Sequence, residues 1–157
     1  MNSILDYEKP NMVVLNGDLV TCDHLENGYA TPLIDQITAP LVDRSIPFAA
    51  TFGNHDMSTT CSTRDMSEQM WNYQGDKGQR LSFNTSSVPG PYNEVGTSNY
   101  YVPIYSSDGL QLALMLYFFD GKGGPEFKTG DAVPQIVDDK VSPGCADAKH
   151  MLLREDC

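Results

Sequence analysis

Thr51-Phe52-Gly53-Asn54-His55-Asp56 closes a short apolar run, Ile46-Pro47-Phe48-Ala49-Ala50. An earlier run, Met12-Val13-Val14-Leu15-Asn16, breaks in the same way at Gly17-Asp18. Each reads as a buried strand that ends at a glycine and then presents a polar, metal-liking side chain. Glycine and aspartate are ordinary turn residues, so Gly17-Asp18 alone is weak. A histidine between two Asx residues at a strand end is poor turn design, which makes Gly53-Asn54-His55-Asp56 more specific. The two blocks lie 53 − 17 = 36 positions apart. Between them Tyr29, Leu33, Ile34, Ile37 and Leu41 fall on one helical face, with Pro40 predicted to kink that helix or start a second one. Strand, helix, strand over this length predicts a right-handed βαβ unit. In such sheets ligands gather at the carboxyl ends of strands, so Asp18 and Asn54-His55 are expected side by side.

Outward from this unit, residues 2–8 predict a surface helix stopped by Pro10. The run from Met12 to Asn16 has no polar alternation, which predicts a strand buried on both faces. Ser62 or Thr63 is placed to cap a helix carrying Met66, Met70 and Tyr73. Residues 74–97 are rich in Gly, Pro, Ser and Asn and predict a long loop. Asn99 to Tyr105 and Leu110 to Phe119 flank Ser106-Ser107-Asp108-Gly109, a hairpin signal. Both faces of the second run are apolar, so that strand too is expected to be buried on both sides. Asp120 to Asp131 reads as a glycine-rich loop, and Pro134, Ile136, Val137 and Val141 as a final short helix.

The 157 residues suffice for one domain with a real core, and 40% hydrophobic with 20% charged residues marks it as globular. A net charge of −11 and a pI near 4.4 argue against a nucleic-acid backbone as partner, which needs a basic stripe. No stretch is long and apolar enough to cross a bilayer. The first ten residues lack the basic flank and apolar core of a signal peptide. Cys22, Cys61, Cys145 and Cys157 are sparse and contain no C-x-x-C pair, so they read mostly as free thiols. Asn84-Thr85-Ser86 fits the glycosylation pattern, a tripeptide common by chance. Cys22-Asp23-His24 reads as a solvated loop and Asp138-Asp139 as the wet face of a helix.

Asn16-Gly17-Asp18-Leu19-Val20 and Gly53-Asn54-His55-Asp56 resemble the second and third motifs of the calcineurin-like metallophosphoesterases. That superfamily runs D-x-H, G-D, G-N-H-D/E, a lone H and finally G-H-x-H. Glu8-Lys9-Pro10, Arg44-Ser45-Ile46-Pro47-Phe48-Ala49 and Tyr117-Phe118-Phe119-Asp120 resemble the fungal branch allied to purple acid phosphatases. The resemblance covers residues 1–141 and implies part of a four-layer α/β/β/α sandwich. Residues 142–157 depart from it and are expected to be a disordered tail. The activity implied is hydrolysis of a phosphate ester at a dinuclear centre of two divalent or iron-type ions (Fe, Mn or Zn). Such a pair clamps the attacking and leaving oxygens.

By the resemblance Asp18 would bridge the metals and Asn54 would ligate one through its amide oxygen. His55 would bond the phosphate or protonate the leaving alkoxide. Asp56 would orient His55, and Gly17 and Gly53 would free the backbone to turn. The departures are large. D-x-H would stand on a strand before residue 1, and no downstream block matches the lone His or G-H-x-H, since His150 in Ala148-Lys149-His150-Met151 fits neither. The chain therefore reads as an interior fragment, inactive by itself, of a domain whose whole form binds a phosphate ester; the other reading is a non-catalytic remnant or partner-binding module. The missing first strand would leave the backbone edge and the apolar side chains of the Met12–Asn16 strand partly exposed.

Overall fold

Met12-Val13-Val14-Leu15 and Pro47-Phe48-Ala49-Ala50 carry few side chains that compete for backbone hydrogen bonds, and they pair. In a computed structural model that describes residues 1–25, 30–84, 86 and 88–134, β1 (Val13–Asn16) lies parallel to β2 (Phe48–Thr51). The register runs from Val13 opposite Phe48 to Asn16 opposite Thr51, so both strands end level with one another. The crossover is α2 (Ala30–Val42), preceded by a 3-10 turn at Cys22–His24. Ile34 and Leu41 are completely buried beneath it, and Leu33 and Ile37 pack beside them. Pro40 neither ends nor divides this helix, which runs through it to Val42. Ser45, at φ 51°, closes the helix instead, with its N–H on the Val42 carbonyl and the Ile46 N–H on that of Leu41.

α1 (Asn2–Glu8) is the expected surface helix, burying Leu5 alone and tied by Asp6 to Arg44 at the end of α2. α3 (Thr63–Trp71) begins where Ser62 accepts a hydrogen bond from the Asp65 amide. Its Met66 and Met70 lie completely buried against Ile34, Phe48 and Leu81 in the larger core. Unbranched, polarisable methionines fill such irregular helix–sheet gaps.

The stretch 74–97 is not one long loop. It contains β3 (Ser82–Phe83), parallel to β2, and the short helix α4 (Tyr92–Val95). β3 is two residues long, too short to leave a periodic signal, and Phe48 recruits it by donating to the Leu81 carbonyl at 2.8 Å. Asn84 of the glycosylation tripeptide is buried, its amide donating to the Ser67 carbonyl, so the folded chain does not present it. The hairpin forms as expected, from β4 (Tyr100–Tyr105) and antiparallel β5 (Leu112–Phe118) around a turn at Gly109.

The hairpin packs on the sheet face opposite the helices. Tyr100, Val102 and Phe118 form a second core with Ala49, and the Tyr100 hydroxyl donates to the Ala50 carbonyl at 2.8 Å. The described residues thus form three layers, helices, parallel sheet and hairpin, in an α/β fold of the expected kind.

Two burial expectations fail. Val14 is 46% exposed, because Leu15 faces the helices while Val14 faces the hairpin layer beyond its reach. Leu112 and Leu114 are 40% and 54% exposed, because only the Leu116–Phe118 end of β5 reaches the sheet. Cys22 and Cys61 are not free thiols either; they form a disulfide. Their spacing of 39 residues carries no signal, and only the βαβ topology brings them together. The helix expected from Pro134 onward, the tail 142–157, Tyr29, Asp138-Asp139, His150, Cys145 and Cys157 lie outside the described residues, except for Pro134 itself.

Candidate active site at the ends of β1 and β2

The level register of β1 and β2 delivers Gly17-Asp18 and Gly53-Asn54-His55-Asp56 to the same edge of the sheet. Gly17 has φ 76°, and a Cβ there would sit 2.9 Å from the Gly53 nitrogen. A Cβ on Gly53 would sit 2.1 Å from Asp18 Oδ1. Both glycines are therefore needed so that the two turns can pack backbone to backbone. Asp18 adopts φ 48°, a left-handed conformation that aspartate tolerates better than most residues and that recurs at functional sites. Its Oδ1 accepts from the His55 amide at 3.1 Å. Asp18, Asn54 and His55 are thus brought together as the sequence predicts, with Asp18 and His55 open to solvent.

Asp56 does something else. Instead of orienting His55, it is completely buried and accepts from the Val20 amide at 2.7 Å and the Gly53 amide at 2.9 Å. One carboxylate thereby ties the turn after β1 to the turn after β2. Burial pushes its carboxyl above the usual carboxylate range, although these amide donors pull the other way. The group facing the imidazole is Asp23, whose Oδ2 lies 3.4 Å from His55 Nδ1. Cys22-Asp23-His24 read as a solvated loop. Asp23 is indeed half exposed, but the 3-10 turn aims it at His55. No spacing rule reveals this contact, because its geometry is set by a turn.

A third segment covers the site from the far side. Gly124, at φ 80°, lies where a Cβ would meet the Asn54 carbonyl at 2.6 Å. Lys128 donates its amide to the Thr59 carbonyl at 3.1 Å. The loop is anchored at the end of β5 by buried Asp120, which accepts from the Thr97 and Lys122 amides at 2.7 and 2.8 Å. Of the glycines in 120–131, Gly124 is the one that close backbone approach requires.

Among the described residues, no group of three or more His, Cys, Asp and Glu side chains is arranged to hold a metal ion. The Asp18 carboxylate and Asn54 amide offer two oxygen donors, and an ion of the kinds in question takes about four to eight ligands. These residues alone do not fit a dinuclear centre.

Two parallel strands end level here, with Asp on one turn and Asn-His on the next, in an α/β fold. The family profile described as calcineurin-like phosphoesterase matches residues 1–144, and the chain belongs to that family. It is similar to Phosphatase DCR2 of Saccharomyces cerevisiae, with 30% identity over 123 residues, 76% of this chain and 20% of that protein. It is also similar to the uncharacterized protein C1020.05 of Schizosaccharomyces pombe, with 32% identity over 88 residues, 56% of this chain and 16% of that protein. The chain thus spans about a fifth or less of the length of these relatives. No solved structure matches it significantly. No helix among the described residues is long and apolar enough to cross a membrane.

Proposed function

We propose that the site serves metal-dependent hydrolysis of a phosphate ester in a complete domain to which this chain contributes the second and third motifs. The observation that carries this reading is the convergence of Asp18 and His55, joined by the 3.1 Å hydrogen bond from the His55 amide to the Asp18 carboxylate. Asp18 and Asn54 present oxygen donors of the sort that hard divalent ions take. Further ligands would have to come from outside the described residues, so no step is routed through a metal here. Metallophosphoesterases generally use divalent metals, and Fe, Mn or Zn is the proposed set.

His55 is the proton-bearing group. Asp23 faces its Nδ1, which leaves Nε2 as the nitrogen available to a phosphate oxygen or a departing alkoxide. A carboxylate beside Nδ1 keeps a proton on that nitrogen, so Nε2 donates only when the ring carries a second proton. Asp56 and the two glycines hold the turns that set this geometry.

The lack of D-x-H, lone-His and G-H-x-H blocks in the sequence favours a second statement, that the 157-residue chain turns over nothing by itself. Assaying p-nitrophenyl phosphate with Mn²⁺, Zn²⁺ or Fe²⁺ tests both. The full native polypeptide is expected to hydrolyse it and to lose that activity in Asp18→Asn. The 157-residue chain is expected to show no turnover and no tight metal binding. Turnover by the short chain that vanishes in Asp18→Asn would overturn the second statement, and an inactive native polypeptide the first.

A further inference from the structure

The disulfide lies where the site is assembled. Cys22 opens the 3-10 turn between Asp18 and α2, immediately before Asp23, the residue that faces His55. Cys61 ends the turn that follows His55 and Asp56, where Ser58 and Cys61 pair backbone to backbone at 3.3 and 3.2 Å. Both cysteines are buried, at 0% and 1% exposure, while Thr21, Asp23 and Thr59 around them are open to solvent. Besides the Asp18–His55 and Asp23–His55 contacts, further single hydrogen bonds join the two loops. Ser58 Oγ donates to the Cys22 carbonyl at 3.2 Å, Thr60 Oγ1 to that of Leu25 at 2.8 Å, and the Val20 amide to Asp56. Both cysteines pack in the larger core, whereas the β1–β2 backbone pairing does not involve them.

We propose that Cys22–Cys61 is a redox-sensitive clamp on the site. Oxidised, it holds the Asp18–Asp23 loop against the His55 loop; reduced, the loops part and Asp23 leaves His55. The reaction with a dithiol balances simply. One thiolate attacks a protein sulfur to give a mixed disulfide, and the second thiolate closes the reductant into its own ring. The S–S bond breaks, two electrons enter the protein, and two protons end on the Cys22 and Cys61 thiols. Regulation of hydrolysis in this way rests on the phosphoesterase reading; the clamp itself does not.

The test uses the full native polypeptide. A non-reducing peptide map is expected to link Cys22 to Cys61, and a bond from either to Cys145 or Cys157 would overturn the proposal. Hydrogen exchange is then followed before and after dithiothreitol, and again after reoxidation with glutathione disulfide. Amides of 18–25 and 54–61 are expected to speed up on reduction by at least about tenfold more than those of β1 and β2, and to recover on reoxidation. The Cys22→Ser/Cys61→Ser variant is expected to fold and to stay in the fast state with or without reductant. Unchanged loops, an equal acceleration through β1 and β2, or a variant that fails to fold would each overturn the clamp. Hydrolysis unaffected by a reduction that does loosen the loops would overturn regulation and leave the phosphoesterase reading standing. Loosened loops with no hydrolysis in either state would overturn the phosphoesterase reading and leave the clamp standing.

Discussion

At the scale of single residues, the site depends on space and on one buried carboxyl group. Gly53→Ala would put a methyl carbon 2.1 Å from Asp18 Oδ1, so either Asp18 or the β2 turn must move. The expected outcome is loss of the His55 amide–Asp18 hydrogen bond, seen as faster exchange of that amide, together with a destabilisation of about 1–3 kcal/mol in urea unfolding. Asp56→Asn keeps the size but offers one acceptor where two amides need one each, at 2.7 and 2.9 Å. The amide left unpaired costs about 1–3 kcal/mol, again readable in urea unfolding, with the loops at 19–20 and 53–56 the first to lose protection. An unchanged midpoint in either variant would contradict the packing described. Asp18, Asn54 and His55 were legible as a group because strand ends are fixed by hydrophobic pattern and glycine. The roles of Asp56 and Asp23 were not legible. A carboxylate beside a histidine in sequence looks like its partner, yet a 3-10 turn points successive side chains in different directions, so Asp56 goes inward and Asp23 arrives from another loop.

Elements show the same division between what pattern encodes and what topology creates. The βαβ unit, the Ser62-capped helix and the hairpin follow from periodicity, a capping residue and a turn glycine. β3 and the disulfide do not, since each exists only because distant segments meet. The disulfide closes a loop over a separation of 39 residues, worth about 4 kcal/mol on the chain-entropy view. Ser62→Ala removes the side-chain acceptor for the Asp65 amide and is expected to cost about 1 kcal/mol of stability, checked by urea unfolding. Tyr73, just beyond α3, donates to Asp35 of α2, and burial together with that carboxylate pushes its hydroxyl up to about 12. The folded state therefore favours the neutral phenol. Its contribution is fully present below the unfolded value near 10 and is lost as pH rises toward 12. The unfolding midpoint is expected to fall across that window more steeply in the wild type than in Tyr73→Phe; identical slopes would contradict the coupling.

For the whole molecule, the apolar runs of β1 and β5 were read as buried twice over because they lack alternation, and lack of alternation does not say whether a second layer reaches that far. Among the described residues β1 is an edge of the parallel sheet with Val14 open, and Leu112 and Leu114 of β5 stand open where the hairpin runs past the sheet. An exposed apolar edge favours self-association, so Leu112→Lys with Leu114→Lys is expected to raise the solubility of the 157-residue chain, measured by sedimentation at increasing concentration. The central proposal, that His55 gives a proton to the leaving group of a phosphate ester while Asp18 and Asn54 serve as metal ligands beside it, is tested most directly by kinetics of the full native polypeptide. In His55→Ala, kcat for an aryl phosphate is expected to fall about 10²–10⁴-fold, and further for an alkyl phosphate, whose leaving group needs the proton more. Equal kcat values for His55→Ala and wild type, on both substrates, would contradict the account.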